Sequence, residues 1–433
     1  MTQVLLISTY EQGHQPLSIA APAAALKAAG HQVRAIDLAV ESVQSEALIA
    51  QASVADLIAI STPMHTAARL GTRIARSLSG MSDKIVFYGL AANSLRDSGL
   101  GTAISGDTDL QLVAMANGES PSTLPLFDRE PRLVPDRSML PSIDQYARYR
   151  DADGVSHLSG YVESTRGCAH RCTHCPLTPI YAGRLRLNGG ETVLADINQQ
   201  VAVGAEHITF GDPDFLNAPD LAMRLLRESA RNHPGLTFDA TIKVEHLIEH
   251  QTLLPEMAEL GVTFIVSAFE SVDDQLLEVL DKGHTAADLD KALQLTDHAG
   301  IAIRPTWLPF TPWTAAQDYL DLLRFVQTRH LVDLTPPVQL GLRLLAPADS
   351  PLVEAMRDMG SLVEFDTDGL TWQWQHEDPR MDDLQSQIAS IAERSGTFAD
   401  IKAVACETLS VKPWPNVEVP HVHRPGLTED WFC

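Results

Sequence analysis

Three of the five cysteines in this 433-residue chain lie within eight residues of one another. They are Cys168, Cys172 and Cys175, and they form the pattern CxxxCxxC. Thiolates are the usual ligands of iron–sulfur clusters, and three of them can hold three irons of a cubane while the fourth iron stays open to a substrate atom. The spacing therefore predicts a cluster-binding loop with one iron free for chemistry.

A closed zinc site is the alternative for the same loop. His170 or His174 would complete a tetrahedral set of three thiolates and one imidazole. A structural disulfide is disfavoured, because three crowded cysteines do not pair evenly. The spacing favours the cluster over both alternatives.

The run from Ser164 to Pro176 resembles the signature of radical S-adenosylmethionine (SAM) enzymes. In that family the amino and carboxylate groups of the methionine moiety of SAM chelate the open iron. The resemblance implies a 4Fe–4S cluster on the three cysteines and SAM as co-substrate. It also implies a low-potential electron donor, such as flavodoxin or ferredoxin, as a partner.

The same resemblance implies residues that hold SAM. Gly211 and Asp212 lie where family members have a Gly-Gly-Glu-like turn that accepts the amino group of the methionine moiety. Glu270 lies in a run similar to the family's Gly-x-Glu-Ser strand end, where it would bind ribose hydroxyls or orient the amine. Arg343 is expected in a sixth strand, where it would meet a carboxylate such as that of the methionine moiety.

These residues also have purely structural interpretations. The segment at Gly211 and Asp212 can be a turn in which Asp and Pro supply the geometry. Glu270 can pair with Lys243 or Arg304 across the mouth of a barrel. For Glu270 the role in SAM binding is favoured over the structural ion pair, because a buried carboxylate without a partner is costly.

Residues 1–120 are predicted to form a doubly wound, Rossmann-like α/β domain. Short apolar runs alternate with helical periods, which favours a parallel sheet with ligands beyond the carboxyl ends of its strands. The domain resembles the cobalamin-binding module of one branch of radical enzymes, but its first loop has His14 and lacks that module's DxHxxG pattern. Two alternatives stay open: cobalamin held without a protein histidine, or a module that has lost the cofactor. The predicted strands are 4–8, 32–38, 57–61 and 85–89.

Residues 156–350 are predicted to form a partial (β/α)6 barrel of six strand–helix units, the sixth strand being 338–342. The cysteine loop follows the first strand, and catalytic groups of parallel barrels collect at the carboxyl ends of the strands. Five prolines between residues 120 and 150 indicate a linker, assigned to 121–155. Residues 351–433 are assigned to a helical extension with a cysteine-ended tail.

The formal net charge of −24 disfavours nucleic acid as a partner, because phosphate binding relies on Lys and Arg. No apolar stretch reaches the length that spans a bilayer, which predicts no membrane association. Few, clustered cysteines are typical of a reducing compartment. We therefore expect a cytoplasmic protein that acts on a small molecule.

The last residue, Cys433, is a candidate catalytic group, because a terminal thiolate is a soft and mobile ligand. The proline-rich tail resembles the CUAEP/CCAEP-tail radical SAM proteins, some of which are selenoproteins. That resemblance implies a sequence cut short at a selenocysteine codon; an ordinary tail is the alternative.

The favoured function is reductive cleavage of SAM coupled to group transfer or hydrogen abstraction on a small molecule, with cobalamin as a methyl carrier in one version. The second hypothesis is transfer of the 3-amino-3-carboxypropyl group to a soft element such as arsenic, which paired soft ligands suit. The third is a non-catalytic cobalamin or metal sensor on the same domains.

Overall fold

A computed structural model describes residues 1–122, 124–127, 132–415 and 424–429. The first part is a parallel sheet in the strand order β2-β1-β3-β4-β5. Its four longer strands confirm the four apolar runs predicted as strands. The strands are β1 (Gln3–Ser8), β2 (Gln32–Asp37), β3 (Leu57–Ser61), β4 (Ile85–Tyr88) and β5 (Thr102–Ile104); the helices are α1 (Leu17–Ala28), α2 (Ser45–Val54), α3 (His65–Ser77) and α4 (Thr108–Ala116).

Helices cover both faces of this sheet, as the alternation of side chains along a strand requires. Leu5 and Ile7 pack with α2 and α3 on one face. Val4 and Leu6 pack with α1 and α4 on the other face. Because both faces are buried, the strands are almost continuously apolar, which is why the sequence pattern identified them.

The second sheet has the order β13-β12-β11-β10-β7-β6-β16. Strands β7 to β13 of this order run parallel, whereas β6 is antiparallel to β7 and β16 is antiparallel to β6. The sheet is a curled half-barrel. Its strands are β6 (Arg148–Arg150), β7 (Ser156–Val162), β10 (His207–Phe210), β11 (Thr237–Thr241), β12 (Val262–Glu270), β13 (Ala302–Trp307) and β16 (Gly426–Leu427); β8 (Thr165–Gly167) and β9 (Leu185–Leu187) form a separate hairpin.

Helices cover the outer face of the half-barrel and bury the largest apolar cluster of the protein against it. Local sequence sets some of their ends: Thr285 and Asp288 form a capping box at the start of one helix, and Gly300 at φ 76° ends it. The helices are α5 (Thr178–Tyr181), α6 (Gly190–Ala202), α7 (Pro219–Asn232), α8 (Val244–Glu249), α9 (Leu254–Glu259), α10 (Asp274–Val279), α11 (Ala286–Ala299) and α12 (Ala316–Thr328).

The predicted sixth strand at 338–342 is wrong. Residues Pro337–Gly341 form a 3-10 helix, and only an isolated bridge joins Phe310 to Arg343 beyond it. Pro336 and Pro337 explain the difference, because a proline has no N–H to donate to a strand ladder and fixes its own φ. The parallel part of the half-barrel therefore has five strands among the described residues.

The C-terminal extension packs against this end of the half-barrel. Leu384, Ile388 and Ile391, predicted to form one amphipathic helix, are the buried stripe of α14. No described helix is both long enough and apolar enough to cross a membrane. The elements are α13 (Leu352–Asp358), the hairpin of β14 (Leu362–Asp366) and β15 (Thr371–Trp374), α14 (Pro379–Glu393) and α15 (Phe398–Thr408).

Candidate functional site

The three cysteines lie on one loop that follows β7 and the short β8 strand. Cys172 is buried, Cys168 and Cys175 are partly buried, and all three are free thiols. The loop closes through backbone hydrogen bonds, from Cys175 N to Cys172 O (3.2 Å) and from Thr178 N to Cys175 O (3.1 Å). Gly167, directly before Cys168, has φ +71°, and any side chain there would collide with backbone and ring atoms of the hairpin.

Asp212 holds the start of this loop. Its carboxylate accepts hydrogen bonds from Ser164 N (2.9 Å), Ser164 Oγ (2.6 Å) and Thr165 Oγ1 (2.6 Å). All three residues are at most 1% exposed. Burial raises the pKa of Asp212, although these hydrogen bonds lower it. The structure thus places Asp212 as a brace between the end of β10 and the cysteine loop, and its predicted contact with SAM stays a prediction.

Glu270 braces the other side of the loop. Its Oε1 lies 3.1 Å from Lys282 Nζ and 3.2 Å from His174 Nε2, the residue before Cys175. Burial would raise the pKa of Glu270, yet Lys282 and His174 lower it to about 2. Glu270 also ends β12 with a left-handed φ of 61°, a conformation that costs energy in a non-glycine residue and is concentrated at functional sites.

The alternative partners suggested for Glu270 are engaged elsewhere. Lys243 contacts Glu245 at 3.1 Å, and Arg304 donates to the carbonyl of Pro425. Sequence analysis missed Lys282 as a partner. Lys282 lies twelve positions after Glu270, and no spacing rule connects the end of a strand to a residue beyond the next helix.

Lys282 also brings positive charge to the cysteines. Burial would lower the pKa of Lys282, but the charges of Glu270 and of the neighbouring Cys172 raise it. Burial raises the pKa of the Cys175 thiol to about 12. The thiol is therefore neutral until a metal displaces its proton, and a nearby ammonium offsets the charge of a thiolate-ligated cluster.

Asn217, which sequence analysis did not single out, touches the first cysteine. Its Nδ2 lies 3.4 Å from Cys168 Sγ, and its Oδ1 lies 3.4 Å from Ala169 N. Hydrogen bonds to ligand sulfurs are one of the ways in which a protein tunes a cluster. No motif available in the sequence would have identified Asn217, because it lies 49 residues from the sulfur that it contacts.

Gly211 and Arg343 occupy different surroundings. A Cβ at Gly211 would collide with the Tyr161 ring, so this position accepts only glycine for a packing reason. Arg343 lies 2.6 Å from Asp382 and stacks on Trp374 at 3.5 Å, both in the C-terminal extension. The structure does not bring Arg343 to the braces of the cysteine loop, and its predicted role toward SAM stays untested.

The N-terminal domain docks next to the cysteine loop through buried ion pairs. Arg166, two residues before Cys168, lies 2.7 Å from Asp107 at the carboxyl end of β5. Arg137, within the predicted linker, makes a two-pronged contact with Asp196 (2.8 and 2.9 Å) and donates to the Tyr161 carbonyl (2.7 Å). These contacts fix the carboxyl edge of the first sheet against the same face of the half-barrel.

Cys433 lies outside the described residues. The nearest described segment is β16, whose Leu427 packs on Phe264 and Val266 inside the half-barrel. Glu429 hydrogen-bonds Tyr10 of the N-terminal domain and lines a cleft together with Arg304 and other barrel residues. The described segment 424–429 therefore contacts both domains.

Residues 162–321 match the Radical SAM superfamily, and this range contains the loop and both of its braces. The chain contains a radical SAM domain. The match supports an enzyme of the transferase type. A radical SAM fold implies SAM and a 4Fe–4S cluster, and three free cysteines on one hydrogen-bonded loop fit the cluster.

The whole chain is similar in fold to cobalamin-dependent radical SAM enzymes. OxsB with aqua-cobalamin bound superposes with a TM-score of 0.69 at 14% identity, covering 89% of this chain and 66% of OxsB. TsrM from Kitasatospora setae, with tryptophan and a SAM analogue bound, superposes with a TM-score of 0.61 at 16% identity, covering 76% of this chain and 72% of TsrM.

A curated sequence relative points to the same group. The bacteriochlorophyllide d C-8(2)-methyltransferase of Chlorobaculum tepidum is 25% identical over 198 residues. The match covers 41% of each chain, so this chain corresponds to about two fifths of that relative's length.

The first loop of the N-terminal domain does not fit a histidine-ligated cobalamin. His14 is 3% exposed, and its ring stacks on Tyr161 of the half-barrel with centroids 4.5 Å apart. Burial lowers the pKa of His14 to about 3, so the imidazole is neutral and packed. A corrin ring cannot stand between His14 and a ring that it already touches. Both alternatives left open by the sequence, cobalamin held without a protein histidine and a module that has lost the cofactor, are compatible with this packing.

Proposed function

We propose that this protein is a radical SAM enzyme that cleaves SAM reductively and transfers a group to, or abstracts hydrogen from, a small molecule. The observation that supports this most is the loop at the carboxyl end of β7, where three free thiols stand beside one buried ammonium. A bound 4Fe–4S cluster would supply the low-potential electron that breaks a carbon–sulfur bond of SAM.

The protein's own residues have distinct roles in this proposal. Cys168, Cys172 and Cys175 hold the cluster, and Lys282 offsets its negative charge. Glu270 makes its contacts with His174 and Lys282 through Oε1, so Oε2 would be available to hydroxyl or amino groups of SAM. In this proposal Glu270 therefore binds SAM and also braces the cysteine loop.

The lining of a cleft in the half-barrel favours a small polar substrate. Arg304, Gln339 and Glu429 place a cation, an amide and a carboxylate on this cleft. Its other walls include Phe264, Val266 and other apolar residues.

Product analysis tests the proposal. The protein is reconstituted anaerobically with iron and sulfide and incubated with SAM and dithionite. We expect about four irons per chain in the wild type, and 5′-deoxyadenosine or S-adenosylhomocysteine as products. Replacing all three loop cysteines by alanine should abolish both iron binding and turnover.

Cys406→Ala is the matched control, because Cys406 is buried in α15 and lies outside the loop. It should retain iron and products. Turnover that survives the triple substitution, or zinc in place of iron in anaerobically purified protein, would contradict the proposal. The latter result would support the closed zinc site.

The product also separates the second hypothesis. Transfer of the 3-amino-3-carboxypropyl group releases 5′-methylthioadenosine, whereas methyl transfer or hydrogen abstraction does not. Hydroxocobalamin addition followed by desalting tests the second cofactor. Retained pigment without a histidine-ligated spectrum would identify a domain that holds cobalamin by contacts other than cobalt ligation.

A further inference from the structure

Beside the cysteine loop, three potential metal ligands converge from three successive strand ends. His170 lies in the loop after β7, Asp214 follows β10, and His246 lies just after β11 in α8. Their ligand atoms all lie within 4.8 Å of one another. The carboxyl ends of parallel strands meet at one edge of the sheet, so residues far apart in sequence become neighbours here.

The buried aspartate is the first sign of a ligand. Asp214 is 0% exposed, and its Oδ2 makes no well-directed hydrogen bond among the described residues, although two histidine nitrogens lie close to it. An anion buried in this way is costly unless it is paired or coordinates a metal. The backbone donates only one long hydrogen bond to this carboxylate among the described residues, from Lys243 N to Asp214 Oδ1 (3.5 Å).

The approach of the two histidines is the second sign. His246 Nδ1 lies 2.7 Å and His170 Nε2 lies 3.5 Å from Asp214 Oδ2. The His246 contact does not have the geometry of a hydrogen bond, and the His170 contact lies at the limit of hydrogen-bond distance. Both nitrogens therefore lie near the same carboxylate oxygen, as the ligands of one metal ion would.

These distances suit one ion. Ligands of a tetrahedral zinc, at about 2.0–2.1 Å from the metal, stand about 3.3 Å apart, between the two observed separations. Glu245 Oε2 lies 3.6 Å from Nδ1 of His170. At this distance the carboxylate does not hydrogen-bond the ring, and the same oxygen lies 3.1 Å from Lys243 Nζ.

We propose that His170, Asp214 and His246 bind a divalent first-row transition metal, of the zinc or iron(II) type, next to the cysteine loop and separate from its cluster. Two imidazoles and one carboxylate are typical ligands of such ions, and three protein ligands leave a position for water or a substrate atom. Because His170 lies between Cys168 and Cys172, the second metal would share a loop with the cluster.

The sequence carried a signal for part of this site. His246 and His250 have the spacing HxxxH, which puts two imidazoles on one face of a helix. The structure offers a competing group, formed by His246, Glu249 and His250. Glu249 is exposed, whereas Asp214 is fully buried, so we assign the metal to the group that contains Asp214.

Zinc binding tests the site in the full-length protein with its three cysteines intact and its cluster reconstituted. The protein is dialysed with Zn²⁺, desalted, and analysed for zinc, iron and sulfide. We expect about one zinc per chain in the wild type, and at least a tenfold loss of zinc in Asp214→Asn and His246→Gln with iron and sulfide retained. Retained iron also shows that these variants are folded.

His250→Gln is the matched control and should keep its zinc. Loss of zinc in His250→Gln with retention in Asp214→Asn would overturn the assignment, as would wild type without zinc. Zinc at cysteines vacated by the cluster would persist in all three variants and would also overturn it. X-ray absorption at the zinc edge should show nitrogen and oxygen ligands only, and a sulfur shell at about 2.3 Å would contradict the proposal.

Discussion

Removing the Glu270 carboxylate should destabilise the protein, because Lys282 would then be buried without a counter-ion. The pKa of Glu270 lies at about 2, against an ordinary value of 4.5. At about 1.4 kcal/mol per unit, this corresponds to about 3–4 kcal/mol in favour of the charged form at neutral pH. Breaking a buried pair by removing one partner costs about 3–5 kcal/mol, so the two magnitudes agree.

The assay is urea unfolding at pH 7 of protein without its cluster, so that bound metal does not contribute. We expect Glu270→Gln to lose about 3 kcal/mol of unfolding free energy. Glu278→Gln is the control, since it makes the same chemical change on an exposed residue of the adjacent helix α10. It should stay within about 0.5 kcal/mol of wild type.

A double-substitution cycle isolates the pair. Lys282→Met alone should also be costly, because it leaves the carboxylate buried, whereas Glu270→Gln with Lys282→Met should recover much of the loss. After reconstitution, Glu270→Gln should release iron to a chelator faster than wild type, since His174 loses its partner. Additive losses in the cycle, or a stable Glu270→Gln protein, would refute a buried pair that braces the loop.

Three further changes test other contacts of the site. Gly211→Ala should cost about 1–3 kcal/mol by overpacking against Tyr161, and Tyr161→Leu should relieve part of that loss; an Ala variant as stable as wild type would contradict the packing role. Burial raises the pKa of Glu11 from 4.5 to about 7. The stability that protonated Glu11 contributes is therefore fully present below pH 4.5 and is lost as pH rises through 7. The unfolding free energy of Glu11→Gln relative to that of wild type should therefore increase by about 1–3 kcal/mol between pH 5 and pH 8. A difference that does not change with pH would refute this. Asp107→Asn should loosen the N-terminal domain by removing the partner of Arg166, seen as faster hydrogen exchange in β5 and the cysteine loop; exchange equal to wild type would show that other contacts hold the domains together.

Local sequence identified the parts of the molecule whose structure depends on near neighbours. The three cysteines lie within one loop, so their spacing alone indicated a metal-binding segment. The strands of the first sheet are almost continuous apolar runs, because both faces of the sheet are buried, and this pattern predicted them. The strand predicted at 338–342 was wrong for a local reason. The apolar pattern there is typical of a strand, but Pro336 and Pro337 disfavour one.

Tertiary structure alone decided which polar groups meet. Glu270 contacts His174, which is 96 residues away, and Asp212 contacts Ser164, which is 48 residues away. A one-dimensional pattern cannot rank such pairs, because the free energy of a buried charge depends on everything that surrounds it in space. Residue types and spacing therefore specified the metal chemistry, and the meeting of parallel strand ends determined which side chains support it.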